Sequence, residues 1–258
     1  MNLEIKNKLF LVTGASSGFG FAIMKQLVEE GARVIAVARN KEKLDKCAKE
    51  LGPLVEPLSG DITQLKTINE TIALIGARSL SGALINAGGP PAKSFLETSM
   101  SDWDESYSNL LRWKVEISKR LIPIFEKENY GRILYIESAS VKQPMENLVL
   151  STSLRLAVVG FVKTMANEVA ARGITANILA PGYHLTAAVD RIFKKRSELA
   201  GISYDQARAS LTESIPVRKL GQAEDIATLA VWLLSPSSGF VTGETISVDG
   251  GAIKHIFG

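Results

Sequence analysis

The chain has 258 residues, of which 46% are hydrophobic and 22% charged, with a formal net charge of +3. This suits one large α/β domain or two small ones and excludes disordered or fibrous chains; the interspersed charges exclude a nucleic-acid or acidic-membrane partner. A single cysteine, Cys47, and two separated histidines, His184 and His255, leave neither a disulfide nor a metal set.

Short β-branched and apolar runs alternate with longer helical patterns. Strands are expected at 9–13, 33–38, 54–57, 83–86, 132–136, 175–180 and 245–248. Helices are expected between them at 19–30, 41–51, 65–75, 103–127, 149–171 and 223–234. That order predicts a Rossmann-type, doubly wound parallel sheet of about seven strands with helices on both faces. No linker divides the chain, so 1–258 reads as one dinucleotide-binding domain. An irregular insertion at 183–216, helical at 187–200 and 205–214, reads as a lid over the substrate. There is no leader-like start and no uninterrupted apolar run of membrane-spanning length, so a cytoplasmic protein without a membrane partner is expected.

In such a sheet, ligands bind beyond the carboxyl ends of the strands. After the first expected strand comes Thr13-Gly14-Ala15-Ser16-Ser17-Gly18-Phe19-Gly20. Its glycines let backbone turn tightly and approach a ligand, and the following helix points free N–H groups at the turn, as a pyrophosphate requires. After the second, Arg39 stands where a carboxylate would hold a ribose hydroxyl; a guanidinium there suits a 2′-phosphate, so NADP(H) is expected over NAD(H). After the third come Asp61 and Ile62, and after the fourth Asn86, Ala87 and Gly88, which taken alone also read as a helix cap and a turn.

Taken together, these residues resemble the short-chain dehydrogenase/reductase family over nearly the whole chain. TGASSGFG matches that family's TGxxxGxG loop, with Gly14, Ser16, Ser17, Gly18, Phe19 and Gly20 at the cofactor. Asp61-Ile62 matches its adenine-contacting pair, Asn86-Ala87-Gly88 its NAG turn, and Ser138 its catalytic serine. Pro181-Gly182 with Thr186 matches PGxxxT, which closes over the nicotinamide. The resemblance implies a small-molecule substrate and a homo-oligomer, dimer or tetramer, paired through the helices at 103–127 and 149–171.

The family's proton machinery is altered. Its tetrad of Asn, Ser, Tyr and Lys carries the last two as YxxxK, and here Ser151 and Arg155 fill those places. Leu110 falls at the asparagine position, and Asn109, one residue earlier, is rotated away by about 100° on a helix. An alkyl hydroxyl is a poor proton donor without a strong partner, whereas arginine still carries charge and hydrogen-bonds a ribose. Tyr183 and His184 are candidate surrogate acids, with Lys142 behind them; Glu137 is expected to point away from the pocket. Two readings follow. One is an NADP(H)-dependent oxidoreductase acting on a carbonyl or alcohol through Ser138, Ser151 and Arg155 by a modified proton route. The other is a catalytically silent NADP(H)-binding protein, a sensor or a non-catalytic subunit.

Overall fold

The computed structural model describes residues 2–256. Seven strands form one parallel sheet: β1 (Leu9–Thr13), β2 (Arg33–Ala38), β3 (Val55–Ser59), β4 (Gly82–Ile85), β5 (Gly131–Ile136), β6 (Ile174–Pro181) and β7 (Thr245–Val248). Their order is β3-β2-β1-β4-β5-β6-β7. β1, β4, β5 and β6 are buried along their whole length, as strands covered on both faces must be. The chain leaves β1 toward β3 and then returns to the other side of β1 as β4. The carboxyl ends of β1 and β4 are therefore the switch point at which such sheets open a ligand crevice.

The helices are α1 (Gly18–Glu29), α2 (Lys41–Leu51), α3 (Leu65–Ile75), α4 (Met100–Tyr107), α5 (Trp113–Lys127), α6 (Val149–Val169), α7 (Ala187–Ala200), α8 (Tyr204–Ser214) and α9 (Ala223–Leu233). Side chains alternate across β1: Phe10 and Val12 enter the core beneath α1 and α9, and Leu9 and Leu11 the core beneath α3, α5 and α6. With the turn that follows it, α6 is long and apolar enough to cross a membrane, at a mean hydropathy of 1.4. Its stripe of Val158, Val162, Met165 and Val169 is instead buried with residues of β5 and β6. α7 and α8 enclose a separate small cluster of Val189, Phe193, Leu211, Ile215 and Leu220.

Two expected elements are corrected. The third strand spans Val55–Ser59 rather than 54–57 and runs through Pro57. β3 pairs only with β2, and an edge strand tolerates a residue that cannot donate to the ladder. The single helix expected at 103–127 is two α-helices joined by a π-helical turn, Ser108–Arg112. The wider i→i+5 turn is a feature that composition and periodicity do not signal.

Candidate active site

The glycine turn packs against the end of β4. Thr13 Oγ1 accepts the Asn86 N–H at 2.8 Å and faces the Asn86 carbonyl at 2.8 Å, which ties the two strand ends together. A Cβ on Gly14 would lie 2.8 Å from Asn86 Nδ2, and one on Gly20 would lie 2.2 Å from the Gly14 carbonyl oxygen. Neither space admits a side chain. Gly14 and Gly18 also have φ of +65° and +54°, which L side chains rarely adopt. Ser17 precedes the first turn of α1 and makes no side-chain cap there. The end of α1 is thus a bare backbone cradle of the kind that takes a pyrophosphate. The partly buried Cys47 thiol packs on this loop, 3.7 Å from the Ser16 carbonyl.

Two guanidinium groups flank the turn after β4. Arg39 is exposed, with an Nη2 atom 4.0 Å from where a Gly88 Cβ would stand, and Arg155 Nη2 is 3.1 Å from the same position on Gly89. Arg39 has no ion-pair partner among the described residues and so is open to an anion. Asp61 accepts the Thr63 N–H and hydroxyl at 3.0 and 2.9 Å, which makes it a local turn cap, and Ile62 is buried in the core. The sequence leaves cap and adenine contact open for Asp61, and its Oδ1 carries the cap.

Ser138 lies two residues beyond β5, partly exposed, and its Oγ accepts the Ser140 N–H at 3.1 Å. Ser151 and Arg155 lie one turn apart on the buried stripe of α6, where Arg155 Nε donates to Ser151 Oγ at 3.1 Å. Arg155 Nη1 donates to Glu137 Oε2 at 2.8 Å, and Lys114 Nζ is bonded to Glu137 Oε1. Glu137 does not open into the pocket: its carboxylate is enclosed in the protein and grips Arg155 from there. Burial pushes the Lys114 pKa down, against the pull of Glu137, and Arg155 adds to the depression. Leu110 is buried, and Asn109 turns outward to Glu105 Oε1 at 3.4 Å, so Asn109 is not brought to this group.

The loop after β6 lies over the glycine turn. Gly182 packs against Asp249, where a Cβ would meet its Cβ at 2.6 Å, and Thr186 Cγ2 is 3.8 Å from a Cβ position on Gly18. Tyr183 packs on the α7–α8 cluster with its hydroxyl 4.0 Å from Met145 Sδ, and burial raises its pKa. His184 is buried edge-to-face on Phe19, with ring centroids 5.2 Å apart and Nδ1 3.2 Å from the Gly182 carbonyl. Its surroundings are those of a packed ring. Burial lowers its pKa from 6.5, so the neutral ring is favoured in the folded chain. Stability is expected in full above about pH 6.5 and to fall as the pH drops through the lower folded value, because unfolding then takes up a proton. His184→Gln is expected to flatten that acid-side loss of Tm, read by thermal melts at about pH 7.5 and 5.

The geometry is that of a nucleotide crevice with a serine, a hydroxyl–guanidinium pair and a buried carboxylate beside it. Residues 14–252 match the family model described as Enoyl-(Acyl carrier protein) reductase. The chain belongs to the short-chain dehydrogenase/reductase family. The relatives that it matches are reductases, which makes the chain an oxidoreductase of the NAD(P)-dependent type. Among the family's members, the chain is 32% identical over 253 residues to the 3-oxoacyl-(acyl-carrier-protein) reductase FabG of Vibrio harveyi, covering 97% of this chain and 98% of the relative. The corresponding enzyme of Salmonella typhimurium is 30% identical over 251 residues, covering 96% and 98%. Among solved structures, an actinorhodin polyketide ketoreductase with NADPH superposes with a TM-score of 0.92 at 27% identity, covering 96% of this chain and 98% of that one. L-sorbose reductase from Gluconobacter frateurii, complexed with NADPH and L-sorbose, superposes with a TM-score of 0.92 at 25% identity, covering 99% and 100%.

Proposed function

We propose that the chain is an NADP(H)-dependent oxidoreductase that interconverts a small carbonyl compound and its alcohol by a modified proton route. The observation that carries this reading is the Ser151–Arg155 pair: Ser151 accepts a hydrogen bond from the guanidinium and keeps its own proton for a substrate oxygen. A cation donating to a hydroxyl oxygen polarises the O–H bond and makes it a better donor. Ser138, two residues beyond the neighbouring strand, is the second donor to that oxygen.

The bound dinucleotide supplies hydride from the nicotinamide ring. Gly14, Ser16, Ser17, Gly18, Phe19 and Gly20 would hold its pyrophosphate on backbone N–H groups, and Arg39 a ribose 2′-phosphate. Asp61, Ile62 and the Asn86-Ala87-Gly88 turn would border the adenosine half. Arg155 would hold the nicotinamide ribose, with Pro181, Gly182 and Thr186 over the ring. The cradle that a Cβ on Gly14 or Gly20 would fill fits such a group. The segment 183–216 would act as the lid of a single domain, with Tyr183 on its inner side. Two of the relatives above are solved with NADPH, which favours the phosphorylated cofactor.

The changed Tyr and Lys positions favour a second reading, a silent NADP(H)-binding protein. Turnover separates the two. With NADPH and a panel of ketones, aldehydes and enones, at least one substrate is expected to give cofactor oxidation, and Ser138→Ala to reduce kcat/KM about 100-fold. No turnover across the panel, while NADPH still raises Tm, would establish the silent reading. Assembly is proposed through the helices of 103–127 together with α6, whose outward face carries Leu156, 45% exposed, and Gly160, where a Cβ meets nothing within 4 Å.

A further inference from the structure

Lys114, Glu137 and Arg155 form a fully enclosed ion network, with side chains 2%, 0% and 9% exposed. They come from three elements: the first turn of α5, the end of β5 and the buried stripe of α6. Two cations share one carboxylate, so the charges do not cancel. Buried ion pairs are a poor route to stability, since apolar residues of similar volume pack as well or better. The arrangement asks for another reason.

Arg155 supplies it. Its Nε donates to Ser151, its Nη1 donates to Glu137, and its Nη2 faces Gly89 of the turn after β4. A planar guanidinium can serve three directions at once, and an ammonium on a flexible stem cannot hold all three. Glu137 is held in turn by Lys114, so its second oxygen cannot swing away from Arg155. The network is not a proton wire to Ser151, because a guanidinium keeps its proton and a relay from Lys114 through Glu137 ends there.

We propose that Glu137 and Lys114 are positioning residues, a buried clamp that locks the Arg155 guanidinium so that its Nη2 is presented to the nicotinamide-ribose end of the dinucleotide. The clamp rests on the NADP(H) reading above and adds to it the residues that orient the cation. It also accounts for arginine at this position, since only a forked cation can be gripped on one nitrogen and still donate from the others.

The test compares two ligands by calorimetric titration of the full chain: NADPH, and adenosine 2′,5′-bisphosphate, which lacks the nicotinamide half. The charge-matched Lys114→Met/Glu137→Gln variant and Arg155→Met are each expected to weaken NADPH about tenfold. Both are expected to leave the bisphosphate unchanged. Combining all three substitutions is expected to lose no more than Arg155→Met alone, because the clamp acts only through Arg155. The proposal is overturned if the charge-matched variant binds NADPH like wild type, if the losses multiply, or if both ligands weaken in parallel as a merely structural role predicts. Should that variant not fold, Glu137→Asp carries the same comparison, since it keeps the charge and draws the carboxylate back by one methylene. A wild-type chain that binds neither ligand overturns the NADP(H) reading itself, an outcome distinct from an intact wild type with unresponsive variants.

Discussion

Glu137→Gln alone is expected to destabilise the fold by about 3–5 kcal/mol, the range found when one partner of a buried ion pair is removed. For a chain of this size that is a drop in Tm of roughly 10 °C. The substitution preserves shape but replaces one accepting oxygen with an NH2 donor, so the loss combines the missing charge with one missing hydrogen bond. It leaves Lys114 and Arg155 enclosed with no carboxylate between them. Lys114 already sits where burial disfavours its charged form, and losing Glu137 removes the interaction that opposes this. Adding Lys114→Met is expected to recover about half of the loss, because it removes one of the two enclosed cations and leaves Arg155 without its carboxylate. Chemical unfolding of the two variants checks both figures. Equal stability of Glu137→Gln and wild type would mean that the network carries no net electrostatic energy.

The layout of the crevice was legible in the sequence, and the clamp was not. Leu9–Thr13, Arg33–Ala38 and Thr245–Val248 are strands with the expected bounds, because short β-branched runs between turn residues have few alternatives. The glycine turn was legible for a related reason: strand, glycines and helix in immediate succession specify a backbone cradle by local chemistry alone. The Lys114–Glu137–Arg155 group depends on distant pairing, since partners 18 and 23 residues apart meet only when α5 and α6 pack on β5. A signal was nonetheless present. Lys114 falls on an apolar face with Trp113, Ile117, Leu121 and Phe125, and a lysine on such a face calls for a buried counter-charge. Glu137, ending an apolar strand, was a carboxylate placed to answer it. Alternation along the strand points that side chain away from the pocket, and with no exposed surface it reaches the site only through Arg155.

Ser151→Tyr/Arg155→Lys, which rebuilds the family's YxxxK, is expected to remain at least about 100-fold below the same pair introduced together with Glu137→Ser and Lys114→Met. A lysine at position 155 has one nitrogen, and the nearest fixed charge is the Glu137 carboxylate that Arg155 Nη1 now reaches at 2.8 Å. Paired there, the ammonium is drawn behind the pocket and cannot also approach the new phenol, whose pKa it must lower to make a working acid. Removing Glu137 frees the lysine, and Lys114→Met removes the buried cation that would otherwise be left alone. Steady-state alcohol oxidation and ketone reduction, with NADPH affinity measured in parallel, distinguish a failed acid from a failed cofactor site. High activity in the simple pair would show that Glu137 does not compete for the cation, and the clamp would lose its main physical support.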